Sequence, residues 1–322
     1  MNASNLTPSG SAPSNLTASS ADRRDFMFRA AALAGAGVAG FGPASLAAEF
    51  ASPLGADSAS AAGDSASVPS GGGPDAASGA TLSQAAAATP ARSQYFELRF
   101  YALRQGSQGT RMNEWNSKTL MPLMKKHGFG TAGYFNVSVG PMPMMVSLVS
   151  YPSWTAIDSA WQKLGGDPEF YKSLNAMEAA DPEPMFERAE TQLLRAANYS
   201  PEPKVMERPK TPRIFELRRY ESDNYQKFVA INRRFNDHTV ALFKKHGFDQ
   251  VFYGTPEYGT AIPNLTYLLA FDSLAARDAC WASFNADPEW QKVRKASIDE
   301  GGQIVSRITN WLLSPTVYSP IQ

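Results

Sequence analysis

Tyr95-Phe96-Glu97-Leu98-Arg99-Phe100-Tyr101 is written a second time, slightly changed, as Ile214-Phe215-Glu216-Leu217-Arg218-Arg219-Tyr220. In the first copy Phe96, Leu98 and Phe100 alternate with Glu97, Arg99 and Tyr101, the period of a strand whose two faces differ. Further out, Lys125-Lys126-His127-Gly128-Phe129 recurs as Lys244-Lys245-His246-Gly247-Phe248, and Asp167-Pro168-Glu169 recurs as Asp287-Pro288-Glu289. The offset is 119 residues for the first two pairs and 120 for the third, so one residue entered between them. Twelve of the 35 positions from Tyr95 to Phe129 match their counterparts without a gap, which marks an internal duplication. A period near 120 residues is too long for a solenoid unit and suits a small domain. Two like domains in one chain predict a fused pseudo-dimer, with its function at or near the seam.

Each copy reads as the same run of elements. After the first strand, Phe228, Ile231, Phe235 and Leu242 fall on one helical stripe of the second copy, and Met112 and Leu123 hold aligned places in the first. Both helices close on Lys-Lys-His-Gly, where Gly128 and Gly247 suit the left-handed position and the cations suit the carboxyl end of the dipole. Pro122 predicts a kink in the first helix. Two strands follow in each copy, over 133–139 and 144–151, then over 251–253 and 265–271. A helix over 153–164 leads to another at Asp167, where Asp caps free amides, Pro tolerates the first helical position and Glu favours the dipole. Strands over 186–194 and 304–313 close the copies. The order is the ferredoxin-like plan, β-α-β-β-α-α-β, of class α+β, with helices on one face of an antiparallel sheet. The uncovered faces predict two tandem repeats packed sheet to sheet as a pseudo-dimeric α+β barrel with a cavity between them.

The Phe-Glu-Leu-Arg-x-Tyr strand, the Lys-Lys-His-Gly-Phe helix end, and the Trp161 and Trp281 helices leading into Asp-Pro-Glu resemble NIPSNAP domains of the dimeric α+β barrel superfamily. The resemblance covers nearly all of 94–195 and 213–314. It implies the fold and carries no reaction with it.

The front of the chain differs. Arg23-Arg24-Asp25-Phe26 precedes a weakly apolar stretch from Ala30 to Ala48, and Ser45-Leu46-Ala47 offers small residues for cleavage. This predicts a twin-arginine signal over 1–47 and a periplasmic or extracellular destination, with membrane attachment only through an uncleaved signal. An Ala/Ser/Gly/Pro linker over 48–93 follows, whose composition cannot offset its ordering entropy. The repeats are then expected over 94–199 and 213–322, joined by a linker over 200–212. Thirty basic and 30 acidic residues, with no basic block, leave nucleic-acid binding unsupported. Cys280 is alone, so no intramolecular disulfide is possible.

Candidate ligand-binding residues are Glu97, Arg99, Tyr101, Glu216, Arg218, Tyr220 and His238. With helices over the apolar rows, the two Glu/Arg/Tyr rows would point between the sheets and hold a small polar or anionic ligand, or position a proton donor. The competing reading, which buried charge networks more often support, is an ion-pair lock between repeats. His127 and His246 read as helix caps. His238 faces Thr119 in the alignment and stands as an unpaired candidate ligand, although three scattered histidines and one cysteine make no metal spacing. No catalytic residue or cofactor fingerprint is recognisable. Three functions compete: a small-molecule-binding or interaction module, a barrel enzyme such as a cofactor-independent monooxygenase or a haem-using oxidoreductase, and a scaffold, each compatible with further homo-oligomers.

Overall fold

A computed structural model describes residues 92–322; the expected signal and nearly all of the expected first linker lie outside the described residues. The first repeat runs β1 (Tyr95–Ala102), α1 (Gln108–Trp115), a π-helical turn (Asn116–Leu120), α2 (Met121–Lys126), β2 (Ala132–Val139), β3 (Met144–Tyr151), α3 (Trp154–Gly165), α4 (Pro168–Ala179) and β4 (Arg188–Ala196). The second repeats it as β5 (Ile214–Glu221), α5 (Tyr225–Arg234), a π-helical turn (Phe235–Thr239), α6 (Val240–Lys245), β6 (Asp249–Tyr258), β7 (Asn264–Phe271), α7 (Leu274–Ala286), α8 (Pro288–Gly301) and β8 (Arg307–Pro315). The eight strands close into one antiparallel barrel in the order β1-β3-β2-β8-β5-β7-β6-β4. Each repeat contributes a four-stranded sheet, and the two sheets meet edge to edge at β2–β8 and β4–β6.

The helix signals act as read. Asp167 and Asp287 accept the amides of Glu169 and Glu289, and Gly128 and Gly247 take φ values of 80° and 79° after the preceding helices. The kink is a different matter. The π-helical turn sits at the same place in both repeats, yet Ala241 replaces Pro122 in the second, so the proline does not cause it. The residue gained by the second copy lies in the β-hairpin, between Gly259 and Pro263, where the first copy runs from Gly140 to Pro143. Strand β6 is longer than expected because Gly254 to Tyr258 pair with β4 of the other repeat, an interaction that alternation within one copy does not encode.

The orientation of the sheets corrects the sequence reading. The apolar rows do not lie under the helices. Phe96, Leu98 and Phe100 of β1 and Phe215 and Leu217 of β5 point into the barrel, where they pack with Phe135, Leu148, Phe252, Leu268 and Trp311. An eight-stranded barrel has an interior just wide enough for side chains to fill, and here aromatic rings from both repeats fill it. Phe96 meets Phe252 at 4.8 Å between ring centroids, and Phe135 meets Phe215 at 4.9 Å. The expected cavity between the repeats is therefore occupied by core. The Glu/Arg/Tyr rows face outward, under the helices, so both faces of the sheet are covered. Strand β7 is buried at every position and reads as a nearly unbroken apolar run, Asn-Leu-Thr-Tyr-Leu-Leu-Ala-Phe.

Because Phe96 and Phe252 are fully buried and belong to different repeats, Phe96→Ala and Phe252→Ala should each cost about 3–5 kcal/mol by urea denaturation. The double variant should lose less than the sum, since the two rings line one cavity.

Candidate functional site

A carboxylate, a guanidinium and an indole form the same unit in each repeat. In the first, Glu97 is buried beneath α3 and accepts the Arg99 Nε at 2.6 Å, the Tyr151 hydroxyl at 2.8 Å and the Trp161 indole N–H at 3.3 Å. The Arg99 guanidinium lies over the Trp161 ring at 4.4 Å. In the second, Glu216 is fully buried and accepts from Arg218 Nη1 at 2.5 Å, from Arg277 through Nε and Nη2 at 2.8 Å each, and from the Trp281 indole at 2.8 Å. Arg218 lies 4.5 Å over Trp281 and donates to the hydroxyls of Tyr267 at 3.0 Å and Tyr220 at 3.1 Å. Burial alone would raise the Glu216 pKa; the Arg277 hydrogen bonds, the Arg218 charge and the Trp281 donor outweigh it and hold the carboxyl below its ordinary value. The Tyr267 hydroxyl is pushed well up by burial and by its neighbour Tyr220, so it stays protonated.

These networks join sheet to helix within a repeat. The structure thus brings Glu97, Arg99 and Tyr101 together, and Glu216, Arg218 and Tyr220 together, but keeps the two rows apart, with the barrel core between them. An inter-repeat lock built from these rows is not formed.

What differs is the space beside each unit. Beside Glu97 and Arg99 only about 40 Å³ remains open. Beside Arg218 a cleft of about 700 Å³ opens between the sheet face and α5, α7 and α8. The packing of the last helix explains the difference. In α4 Phe170 and Leu174 are buried, whereas α8 buries no residue fully. Trp115, Ile157 and Leu174, each less than 10 % exposed, fill the first repeat. The 119- and 120-residue offsets place Arg234, Arg277 and Arg294 at those positions in the second, and all three line the cleft. The Trp115–Phe170 ring pair of the first repeat becomes Arg234 lying 5.3 Å over Trp290. None of these three arginines stands out within its own helix; the visible signal was the exchange of apolar for cationic residues between aligned copies.

His238 is not part of this cleft. It is exposed on the π-helical turn and lines a neighbouring groove of about 630 Å³ between α5 and α8. Among the described residues, no group of three His, Cys, Asp or Glu side chains is placed to hold a metal ion. His127 and His246 do more than cap their own helices. Each donates its Nε2–H at 2.7 Å to the Asp that caps a later helix, Asp167 or Asp287, which Lys126 or Lys245 also contacts at 2.7 Å. His246 meets Ser283 as well, at 2.6 Å, yet the same His–Asp clamp stands in the first repeat, where Lys163 aligns with Ser283. The clamp therefore ties α2 to α4 and α6 to α8. Both aspartates titrate well below their ordinary range because of Lys126 or Lys245 first, then the histidine and the Glu169 or Glu289 amide.

The closed barrel with ferredoxin-like halves defines this protein as a pseudo-dimeric member of the α+β barrel class. A family model described as NIPSNAP matches it twice, over residues 96–201 and 215–320, and the chain belongs to the NIPSNAP family. Similar solved structures include a NIPSNAP family protein from Agrobacterium tumefaciens, with 24% identity and a TM-score of 0.32, covering 36% of this chain and 100% of that one. A NIPSNAP-like domain protein from Burkholderia xenovorans shares 22% identity with a TM-score of 0.30, covering 34% of this chain and 90% of its own. An anthrone oxidase-like protein shares 9% identity with a TM-score of 0.46, covering 70% and 92%. No protein curated for function matches.

Removing an arginine should separate the two networks. Glu97 has one cationic partner, so Arg99→Ala should cost about 3–5 kcal/mol of unfolding free energy by leaving a buried carboxylate without its charge partner. Glu216 keeps Arg277, and Arg218→Ala should cost about 1.5–3 kcal/mol in the same denaturation experiment. The clamps make a pH prediction. Folding lowers the pKa of Asp167 and Asp287, so their contribution is complete above the ordinary value of 3.8 and is lost as the pH falls below it. Melting temperatures should drop on the acid side of pH 4, and Asp167→Asn with Asp287→Asn should flatten that limb of the profile.

Proposed function

We propose that this NIPSNAP-family protein is a small-molecule-binding module whose working site is the cleft of the second repeat rather than a space between repeats. The observation that carries this is the contrast in volume, about 700 Å³ against about 40 Å³, between equivalent places of two copies that otherwise keep the same Glu–Arg–Trp unit. Ligand sites are concave, lined by aromatic and apolar groups, and carry a few convergent polar groups. The cleft has Trp281 and Trp290 for walls, and Arg218 and Tyr220 as polar groups on its floor. The proposed setting is outside the cytoplasm, a reading supported by Arg23-Arg24 and the small-residue exit at Ser45-Leu46-Ala47.

The test is native mass spectrometry with an absorbance spectrum on the protein purified from its own host, beside the variant Asn285→Trp, which places an indole at the cleft wall. A stoichiometric extra mass on the wild type that the variant has lost is the expected result. A bare mass on the wild type, with no compound of a host extract raising its melting temperature, overturns the proposal.

A further inference from the structure

Four guanidinium groups line the cleft, from Arg218, Arg234, Arg277 and Arg294, and no carboxylate is among its lining residues. Their charges are not balanced behind it. Glu216 and Asp278 together neutralise Arg218 and Arg277, through contacts of 2.5 to 2.8 Å. Among the described residues Arg234 has no carboxylate partner: it donates to Ser297 at 3.0 Å, stacks on Trp290, and keeps a buried Nε without a hydrogen-bond acceptor. Arg294, exposed on α8 and lining the cleft, forms no ion pair among the described residues. Burial, and beyond it the nearby Arg294 charge, lowers the pKa of Arg234. An orphaned guanidinium N–H out of water is costly, and the like charge of Arg294 beside it adds to that cost.

The first repeat shows what the fold does without these cations. Trp115, Ile157 and Leu174 fill the same three places and close the space. The second repeat gives up that packing for positive charge in a cleft that also presents Trp290, Ile298, Ile304 and Ile308. An arginine fork matches a carboxylate or phosphate in geometry, and indole and isoleucine surfaces match a flat or branched hydrocarbon.

We propose that the cleft binds a small organic anion whose carboxylate sits between Arg234, Arg294 and Arg218 and whose apolar body lies against Trp290 and the isoleucine wall. This rests on the reading of the cleft as a small-molecule site and specifies its ligand. Arg234 and Arg294 supply the uncompensated charge, while Arg218 and Arg277 are held in place by Glu216.

The test uses 2-naphthoate, its neutral isostere 2-naphthamide, and inorganic phosphate, titrated into the protein as purified from its host and followed by calorimetry and by tryptophan fluorescence. The expected result is saturable naphthoate binding that weakens with added salt, with the amide at least tenfold weaker. Arg234→Leu and Arg294→Leu should each weaken naphthoate about tenfold or more and weaken the amide by less. The double variant Arg234→Trp with Arg294→Leu, which restores the first-repeat residues at two of the three places, should abolish binding while the protein melts no lower than wild type. Equal affinity for acid and amide overturns the anion assignment and leaves the small-molecule reading intact. Phosphate binding as tight as naphthoate overturns the apolar half of the proposal. No naphthoate binding by a protein that carries a neutral molecule from its host overturns the anion assignment alone; no binding by a protein that carries nothing removes both readings.

Discussion

Closure of the sheet is the constraint from which the rest of the molecule follows. Once β2 pairs with β8 and β4 with β6, no strand edge is left free within the barrel and the interior becomes a fixed volume. That volume takes the Phe/Leu rows of β1 and β5 together with rings from both repeats. The opposite rows are then committed to the helices, and they carry Glu, Arg and Tyr. Burying carboxylates there is tolerable only if each is met by cations and donors, and Glu97 and Glu216 are. The indoles of Trp161 and Trp281 complete the arrangement by donating to the carboxylate while covering the guanidinium. What looks like a site in the sequence is thus first a solution to a packing problem set by the closed sheet.

On this shared frame the two repeats make different use of the gap between sheet and last helix. The first closes it with an indole and two aliphatic chains; the second leaves it open and lines it with cations. The helix clamps remain the same in both, since His127 and Asp167 correspond to His246 and Asp287 in distance and partner. The difference is therefore confined to what fills the space, with the backbone plan and the helix ties unchanged.

Much of this was legible in the sequence, and the failures have a common cause. Asp-Pro-Glu and His-Gly are local signals whose meaning does not depend on distant chain, and the structure follows them at Asp167, Asp287, Gly128 and Gly247. The alternation of β1 and β5 gave two unlike faces but could not say which one is inside, because that is decided by ring closure between the repeats, through β2 with β8 and β4 with β6. Alternation usually places apolar side chains inward, and here inward means toward the other repeat, not toward the helices. The length of β6 was missed for the same reason, its far half being paired across the seam. Arg234, Arg277 and Arg294 each look like ordinary surface arginines on a helix. They become informative only against Trp115, Ile157 and Leu174, a comparison that the duplication itself supplies.

The covalent joining of the repeats has a consequence for symmetry. Two identical chains closing the same barrel would carry every substitution twice, so a loosened last helix and its unpaired arginines would appear on both sides and destabilise both halves. With the halves encoded separately in one chain, one side can remain fully packed and anchor the barrel while the other departs from it. The molecule is a pseudo-dimer in its backbone and a heterodimer in its chemistry, and the tightly filled first repeat is what permits the second to be hollow.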